Sequence, residues 1–245
     1  MLIIKLEDYT EVYQKNIPPH VVIDDAFLFS HIDQIEKCFP KPGNDWWIYD
    51  NPLEKKFAFN CIEQMPEPIV EVIHYLNSRP FIDQLEKLTG ITGLIADPFL
   101  NGGGLHQIAR GGKLDIHADY NYHPVTKLDR RLNVLLYLNR HWQEEWGGHL
   151  EFWDPEMTYC MKKISPLFNR LVIFSTTDQS FHGHPDPLNC PEDRTRKSIA
   201  LYYYTWGRPS HEKSPPHSTL FKRRPQDPIV AEIEELRIAR GIKRL

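Results

Sequence analysis

The chain has 245 residues, 41% of them hydrophobic and 25% charged, and its formal net charge is −4. This length allows one substantial core. The slightly acidic balance gives no electrostatic case for nucleic-acid binding, which usually requires a strongly basic face. The first residues, with charges at Lys5, Glu7 and Asp8, are not expected to form a signal peptide. No apolar run approaches the length of a membrane span.

The four cysteines predict the redox environment. Cys38, Cys61, Cys160 and Cys190 are widely separated and lack the paired spacing of a zinc site. We interpret them as free thiols in a reducing compartment, and therefore expect a cytoplasmic protein with no membrane association.

The N-terminal part predicts one strand and three helices. A short apolar run at 20–24 is typical of a strand. Helices are predicted at 27–39, with Ser30 as N-cap, at 66–77, beginning with Pro66, and at 80–88, ended by Gly90. The aromatic-rich stretch 45–59 between them is interpreted as core or edge packing rather than a substrate surface. We expect these helices to pack outside the sheet that follows.

From Gly102 onwards the sequence predicts short strands separated by turn signals such as Gly111-Gly112 and Asp154-Pro155. The eight predicted strands are 105–110, 113–119, 131–139, 149–154, 158–164, 170–175, 179–184 and 197–205. Strands at this spacing indicate a double-sheet jelly roll of the cupin type. An amphipathic helix is predicted at 228–240, with Ile229, Val230, Ile233, Leu236 and Ile238 against the body. We expect one domain, 1–245, with a β core at 102–206 and helices and loops at 1–101 and 207–245.

His117 and Asp119 are the first candidates for chemistry. They are two residues apart on a predicted strand, so their side chains project from the same face, roughly 7 Å apart at their bases. A second imidazole comes much later, at His182. Two imidazoles and one carboxylate are the ligand set of a non-haem Fe(II) oxygenase. The His-x-Asp pair by itself is weak, because such spacings are common in surface sequences.

Strand alternation points to a polar interior. In 131–139, Leu132, Val134, Leu136 and Leu138 share one face, whereas the other face carries Asn133, Leu135, Tyr137 and Asn139. Arg196 leads into a strand that is apolar on both faces. A guanidinium there needs an anionic partner, which is either an internal carboxylate or a dicarboxylate ligand held by the arginine fork.

Five stretches together resemble a known family. They are GGKLDIHADYNYHP, RRLNVLLYLN, EWGGHLEFWD, NRLVIFSTTDQSFHGHP and RKSIALYYYT, covering roughly Leu105 to Thr205. In order and strand context they are similar to the 2-oxoglutarate- and Fe(II)-dependent dioxygenases, in the branch of the prolyl 4-hydroxylases. The resemblance implies a mainly β (α+β) fold, a double-stranded β-helix with N-terminal helices outside and a C-terminal helix.

The resemblance also implies roles for individual residues. His117, Asp119 and His182 would bind the metal, and Arg196, followed by Ser198, would bind the far carboxylate of 2-oxoglutarate. Asn133 and Tyr137 are further candidate co-substrate contacts, with an ordinary core role as the alternative, which also applies to Gln107.

Two of these assignments, the distal metal ligand and the carboxylate-binding residue, have alternatives. His184 competes with His182 as the distal ligand, and we prefer His182 because it follows the family's Ser-Phe sequence. Arg194 competes with Arg196, which is favoured by Ser198, and Lys197 is a third option.

The implied activity is hydroxylation of an unactivated C–H bond with release of succinate and CO2. The cofactors would be Fe(II), 2-oxoglutarate and O2, with ascorbate as an optional addition. The carboxylate at Asp119 favours hydroxylation over halogenation, because related halogenases have Gly or Ala there.

The substrate would be a prolyl or other amino acid, a peptide or a small metabolite, and oligomeric state is left open. The alternatives are a non-catalytic β-barrel binding domain and a cupin-like metal hydrolase or isomerase. Residues 120–123 are expected at the mouth of the site, either contacting substrate or shaping a loop.

Overall fold

The computed structural model describes residues 2–242, and its main feature is a 13-stranded antiparallel sheet. The sheet curls into a nearly closed barrel of two facing layers. The strands are β1 (His20–Ile23), β2 (Trp47–Asn51), β3 (Glu54–Phe59), β4 (Ile95–Ala96), β5 (Gly104–Ile108), β6 (Lys113–Ala118), β7 (Asp129–Tyr137), β8 (Leu150–Trp153), β9 (Cys160–Ile164), β10 (Arg170–Ser175), β11 (His182–His184), β12 (Arg196–Thr205) and β13 (Leu220–Phe221).

Five α-helices accompany the sheet within the described range. They are α1 (Thr10–Lys15), α2 (Phe29–Cys38), α3 (Glu67–Leu76), α4 (Arg79–Thr89) and α5 (Ala231–Ile242). None of the helices between residues 2 and 242 combines the length and apolarity that crossing a bilayer requires.

One strand, β3, joins the two layers. The first layer has the order β1-β10-β7-β12-β5, and the second has the order β6-β11-β8-β9. Phe57 and Phe59 of β3 pair with β5, whereas Glu54 and Lys55 pair with β6. The strand therefore turns the corner of the barrel, and it brings its polar N-terminal half to the space between the layers.

The outer face of the first layer carries the main hydrophobic core. Leu132, Val134 and Leu136 of β7 pack there with the apolar faces of α3 and α4, including Ile69 and Leu85. Complete burial of one such side chain contributes about 1.5–3 kcal/mol, so these contacts hold the helices on the barrel. The prediction that the N-terminal helices lie outside the sheet is confirmed.

The inner faces of the two layers meet in a smaller core. It consists of Tyr137, Leu150, Phe152, Ile164, Val172 and Phe174. Three of its members, Tyr137, Leu150 and Phe174, also line a cavity between the layers. The space between the layers is thus filled by side chains in one part and contains the cavity in another.

The predicted fold class, mainly β with a jelly-roll barrel, is confirmed, and all eight strands predicted after Gly102 are present in part or whole. The strand predicted at 179–184 contains only His182–His184, because Ser180 N–H donates to the Thr177 carbonyl in a turn. The hairpin β2–β3 was missed. Its first strand is exposed or half-buried throughout, so it has no alternating pattern.

The predicted packing of the C-terminal helix was partly wrong. Ile229 and Ile238, expected against the body, are 75% and 62% exposed. Between Ala231 and Gly241 of α5, the buried side chain is that of Arg237, whose Nη2 donates to Asp115 Oδ2 at 2.9 Å. Asp115 also accepts from Lys113 at 2.7 Å. The helix is therefore anchored to β6 by an ion pair, a contact that hydrophobic periodicity does not reveal.

We predict that Arg237→Met destabilises the fold by up to about 3 kcal/mol. Loss of one partner from a buried pair costs about 3–5 kcal/mol, and Lys113 still compensates part of the Asp115 charge. Urea denaturation measures the change. The double variant Arg237→Met/Asp115→Asn should be less destabilised than the sum of the two single variants, and strict additivity would contradict the ion-pair anchor.

Candidate active site

A cavity of about 400 Å³ lies between the two layers, and its walls contain the seven residues for which a metal or co-substrate role was preferred. These residues are His117, Asp119, Asn133, Tyr137, His182, Arg196 and Ser198. The strand alternation inferred for β7 is correct here, since Asn133 and Tyr137 face the cavity whereas Leu132 faces the helices.

Three potential metal ligands converge at one point of the wall. His117 lies near the end of β6 and is paired in register with His182, the first residue of β11. Asp119 follows directly after β6. The Nε2 atoms of His117 and His182 lie 3.5 Å from Asp119 Oδ1 and Oδ2, respectively. The ligand atoms of all three residues lie within 4.8 Å of one another.

Backbone carbonyls orient both imidazoles. His117 Nδ1 lies 2.8 Å from the Asp115 carbonyl oxygen, and His182 Nδ1 lies 2.8 Å from that of Ser180. A carbonyl can only accept, so each Nδ1 carries the proton and each Nε2 presents a lone pair. This is the arrangement in which protein imidazoles bind metals. Two nitrogen donors and one carboxylate on one face fit Fe(II) with open positions.

Asp119 is stabilised as a carboxylate. Its Oδ2 accepts from Asn133 Nδ2 at 2.8 Å and lies 3.1 Å from Arg130 Nη2. Burial opposes ionisation, but Arg130 and the two histidines outweigh it and hold the pKa of Asp119 well below its usual range. The third ligand is therefore an anion at neutral pH, as metal binding requires.

Arg130 is a functional candidate that sequence reasoning missed. Its guanidinium is 1% exposed and is stacked between the rings of Tyr202, at 3.5 Å, and Tyr120, at 4.5 Å. It also donates to Asn133 Oδ1 from Nε and Nη2. If the side chains of β7 alternated strictly from Asn133, Arg130 would lie on the outer face of the sheet. A register shift between β7 and β12 in this part of β7 brings it inside.

Arg196 is the second buried cation of the cavity. Its Nε donates to the Gly148 carbonyl at 2.8 Å, and its Nη2 donates to the Tyr137 hydroxyl at 3.1 Å. It forms no ion pair with a carboxylate among residues 2–242. Gly148 has a φ of +73°, and a Cβ there would lie 3.0 Å from Arg196 Cδ. The glycine pair 147–148 thus leaves room for the guanidinium.

The competing residues lie elsewhere or have other neighbours. Arg194 is exposed and outside the cavity wall, and the Gln107 side chain donates to Thr195 Oγ1 at 3.0 Å. Lys197 also lies outside the wall. His184 does line the cavity, but it is not part of the converging ligand group. An internal carboxylate partner, one of the two roles considered for Arg196, is absent from the described chain.

The residues after Asp119 divide between two roles. Tyr120 lines the cavity, and its hydroxyl donates to the Asn101 carbonyl at 2.7 Å. Asn121 instead binds the C-terminal segment, donating to Ser214 Oγ at 2.8 Å. His123 is fully buried and lies 3.2 Å from Asp97. Of these three residues Tyr120 lines the cavity wall, whereas Asn121 and His123 contact other segments of the chain.

Residues 103–204 match the family model described as the 2OG-Fe(II) oxygenase superfamily. Prolyl 3-hydroxylase OGFOD1 of Mus musculus is 32% identical over 79 residues, which are 31% of this chain and 14% of that protein. The chain thus matches only a small part of that curated relative. The family resemblance drawn from the sequence is confirmed by this match over the β core.

Solved structures share the fold. A prolyl hydroxylase from Trichoplax adhaerens, in complex with a hypoxia inducible factor oxygen degradation domain peptide fragment, has a TM-score of 0.56 at 19% identity. The alignment covers 82% of this chain and 90% of that one. A Pseudomonas putida prolyl-4-hydroxylase also has a TM-score of 0.56, at 13% identity, covering 82% and 100% of the two chains. At these identities the likeness concerns the fold.

We predict that Arg130→Met weakens metal binding by roughly 10–100-fold, the usual effect of losing a group that supports a ligand. Without the guanidinium, the pKa of Asp119 rises and its carboxylate is less firmly positioned. Competition against a chromophoric chelator with Fe(II) or Co(II) measures the affinity. Arg131→Met is the matched control, because Arg131 faces away and contacts Thr205 and Glu212. Equal affinities for both variants would contradict the role of Arg130.

The metal-free protein should lose stability in mild acid. Burial lowers the pKa of His182 from 6.5 to about 4. The unfolded chain protonates His182 below about pH 6.5, and the folded chain does so only near pH 4. The stability that comes from keeping His182 neutral is therefore complete above pH 6.5 and is lost as the pH falls towards 4. The loss amounts to about 3 kcal/mol. Urea denaturation of chelator-treated protein at pH 7 and pH 4.5 tests this. His182→Asn should reduce the difference by the His182 contribution and leave that of other buried histidines such as His106, whose pKa burial lowers to about 3. His74→Asn, at an exposed site, should leave the difference unchanged.

Proposed function

We propose that this chain is a dioxygenase that uses Fe(II) and 2-oxoglutarate to hydroxylate an unactivated C–H bond. The observation that carries the proposal is the pairing, in one cavity, of three converging metal ligands with a buried arginine that has no carboxylate partner in the described chain. A buried guanidinium without an anion is costly. A ligand that carries a carboxylate and also reaches the metal would remove that cost.

The charges of the cavity wall support a dianionic co-substrate. The basic residues in the wall are Lys56, Arg130, Arg196 and Arg240, and the acidic residues are Glu54 and Asp119. The cavity is therefore positive although the whole chain carries −4. Such a site attracts anions and would favour 2-oxoglutarate over neutral 2-oxo acids.

Each residue of the wall has a proposed task. His117, Asp119 and His182 would hold Fe(II), and Asn133 and Arg130 would keep Asp119 ionised and in place. Arg196 would bind the far carboxylate, oriented by the Tyr137 hydroxyl and the Gly148 carbonyl. Ser198, which pairs with Tyr137 across β12 and β7, lines the same region.

The chemistry itself would come from the bound iron, which couples decarboxylation of 2-oxoglutarate to substrate oxidation. One oxygen atom of O2 enters succinate and the other enters the hydroxyl group of the product, with release of CO2. The enclosing walls limit access of bulk water to the reaction. Ascorbate would be an optional addition for maintaining Fe(II).

For the substrate we propose an amino-acid residue, a peptide or a small metabolite, with a prolyl group among the candidates. Residues of the hairpin β2–β3 and of the C-terminal segment, including Tyr49, Ser218 and Phe221, line the cavity beside Tyr120. They are placed to contact it. A reducing compartment such as the cytoplasm fits the four cysteines, each of which lies in the described range as an unpaired thiol.

The test is an anaerobic titration of metal-free protein with Fe(II) and then 2-oxoglutarate. We expect a weak visible charge-transfer band from the chelated iron, absent in His117→Ala. In Arg196→Met the dissociation constant for 2-oxoglutarate should rise at least tenfold, because a hydrogen-bonded ion pair is lost. Arg194→Met is the matched control, and it should bind as the wild type does.

Turnover is the second part of the test. Once a substrate is found by succinate release, Asp119→Ala should have no measurable hydroxylation. Full activity of that variant would remove Asp119 from the ligand set. A wild-type protein that binds Fe(II) but shows no band with 2-oxoglutarate would favour a binding domain or a metal hydrolase or isomerase instead.

A further inference from the structure

A second histidine of β11 faces the cavity and has no part in the proposed metal site. His184 is 4% exposed and lies two residues after the ligand His182, with Gly183 between them. A Cβ at Gly183 would lie 2.7 Å from the Leu114 carbonyl oxygen. The glycine therefore lets β11 lie tightly against β6, and both imidazoles are directed to the cavity.

His184 has an unsatisfied polar atom. Its Nδ1 is buried and has no hydrogen-bond partner among residues 2–242. The ligands His117 and His182, in contrast, each have a backbone carbonyl at Nδ1. A buried polar group without a partner costs about 1–3 kcal/mol, so Nδ1 does not stabilise the fold of the free protein. The other ring nitrogen, Nε2, is not among these fully buried atoms, and it is the one that a ligand in the cavity can reach.

The strand registers show which end of the cavity His184 occupies. It lies opposite Leu114, whereas His182 lies opposite His117, so moving from His182 to His184 leads away from the metal ligands. On the neighbouring strand β8 the same direction leads from Phe152, opposite His182, through Glu151, opposite Gly183, towards Gly148, whose carbonyl accepts from Arg196 Nε. Two strand residues span roughly 7 Å. His184 is thus on the arginine side of the metal, about the length of a short dicarboxylate away.

The surroundings of His184 are basic. Arg196 and Lys56 line the same cavity as His184, together with the imidazole of His106. Lys56 is itself paired with Glu54 at 3.3 Å, so its charge is largely compensated. A neutral imidazole beside Arg196 can donate one hydrogen bond to an anion without adding a further charge.

We propose that His184 is a second contact for the far carboxylate of the 2-oxo acid, donating a hydrogen bond beside Arg196. This inference rests on the proposed function, because it needs 2-oxoglutarate to span from the metal to Arg196. It assigns to this chain an imidazole in the co-substrate site, which makes His184 a specificity determinant rather than a metal ligand.

The experiment compares two ligands in anaerobic binding titrations of the Fe(II) protein. 2-Oxoglutarate has the far carboxylate, and 2-oxopentanoate has a methyl group in its place. In His184→Val the dissociation constant for 2-oxoglutarate should rise roughly tenfold or more, as expected for a lost hydrogen bond to a charged group. The constant for 2-oxopentanoate should stay the same. His184→Gln, which keeps a donor, should recover part of the affinity.

Two controls separate this effect from damage to the fold. Fe(II) affinity and the thermal midpoint are measured for each variant, and His74→Gln, at an exposed helical position, is carried through the same titrations. An equal loss of affinity for both ligands, or no loss for 2-oxoglutarate, would overturn the assignment of His184. If the wild-type protein binds no 2-oxoglutarate, the proposed function fails first and this inference falls with it.

Discussion

The antiparallel pairing of β6 with β11 is the constraint on which the site depends. It places His182 directly opposite His117, and Asp119 follows at the end of β6. The two strands come close because Gly183 has no side chain to collide with the Leu114 and Asp115 carbonyls. The same pairing positions His184 one strand repeat away. A single strand contact therefore sets both the ligand group and the wall that leads to Arg196.

Charge compensation accounts for much of what surrounds this pairing. The carboxylate of Asp119 is buried, and Arg130 offsets the cost of its burial. Arg130 is in turn enclosed by Tyr120 and Tyr202, whose ring faces stabilise a desolvated cation. Arg196 has no such anion among residues 2–242, and it donates to neutral oxygens of Gly148 and Tyr137. One buried arginine thus neutralises a carboxylate of the protein, and the other has the role that we propose in binding a ligand carboxylate.

The C-terminal segment contributes a wall of the cavity through polar rather than apolar contacts. β13 pairs with β6, setting Phe221 beside His117, and the Arg237–Asp115 ion pair holds α5 on the same strand. Asp115 also provides the carbonyl that orients His117. Asp115 therefore contacts both the C-terminal segment and the candidate metal ligand His117. A shift in the position of α5 would therefore move Asp115 on β6 and, with it, the carbonyl that orients His117.

The sequence by itself predicted the jelly-roll class, the inner and outer faces of β7 between Leu132 and Tyr137, and seven of the side chains that line the cavity. Those inferences depend on alternation along a strand and on a family resemblance, both of which are local in sequence. Three features were decided only by the tertiary structure. Arg130 lies inside because a register shift reverses the alternation, and Arg237 rather than isoleucine anchors α5. His184 Nδ1 is buried without a hydrogen-bond partner among residues 2–242. Each of these three features depends on contacts between segments that are far apart in sequence. The hydrophobic pattern of a single segment does not specify such contacts.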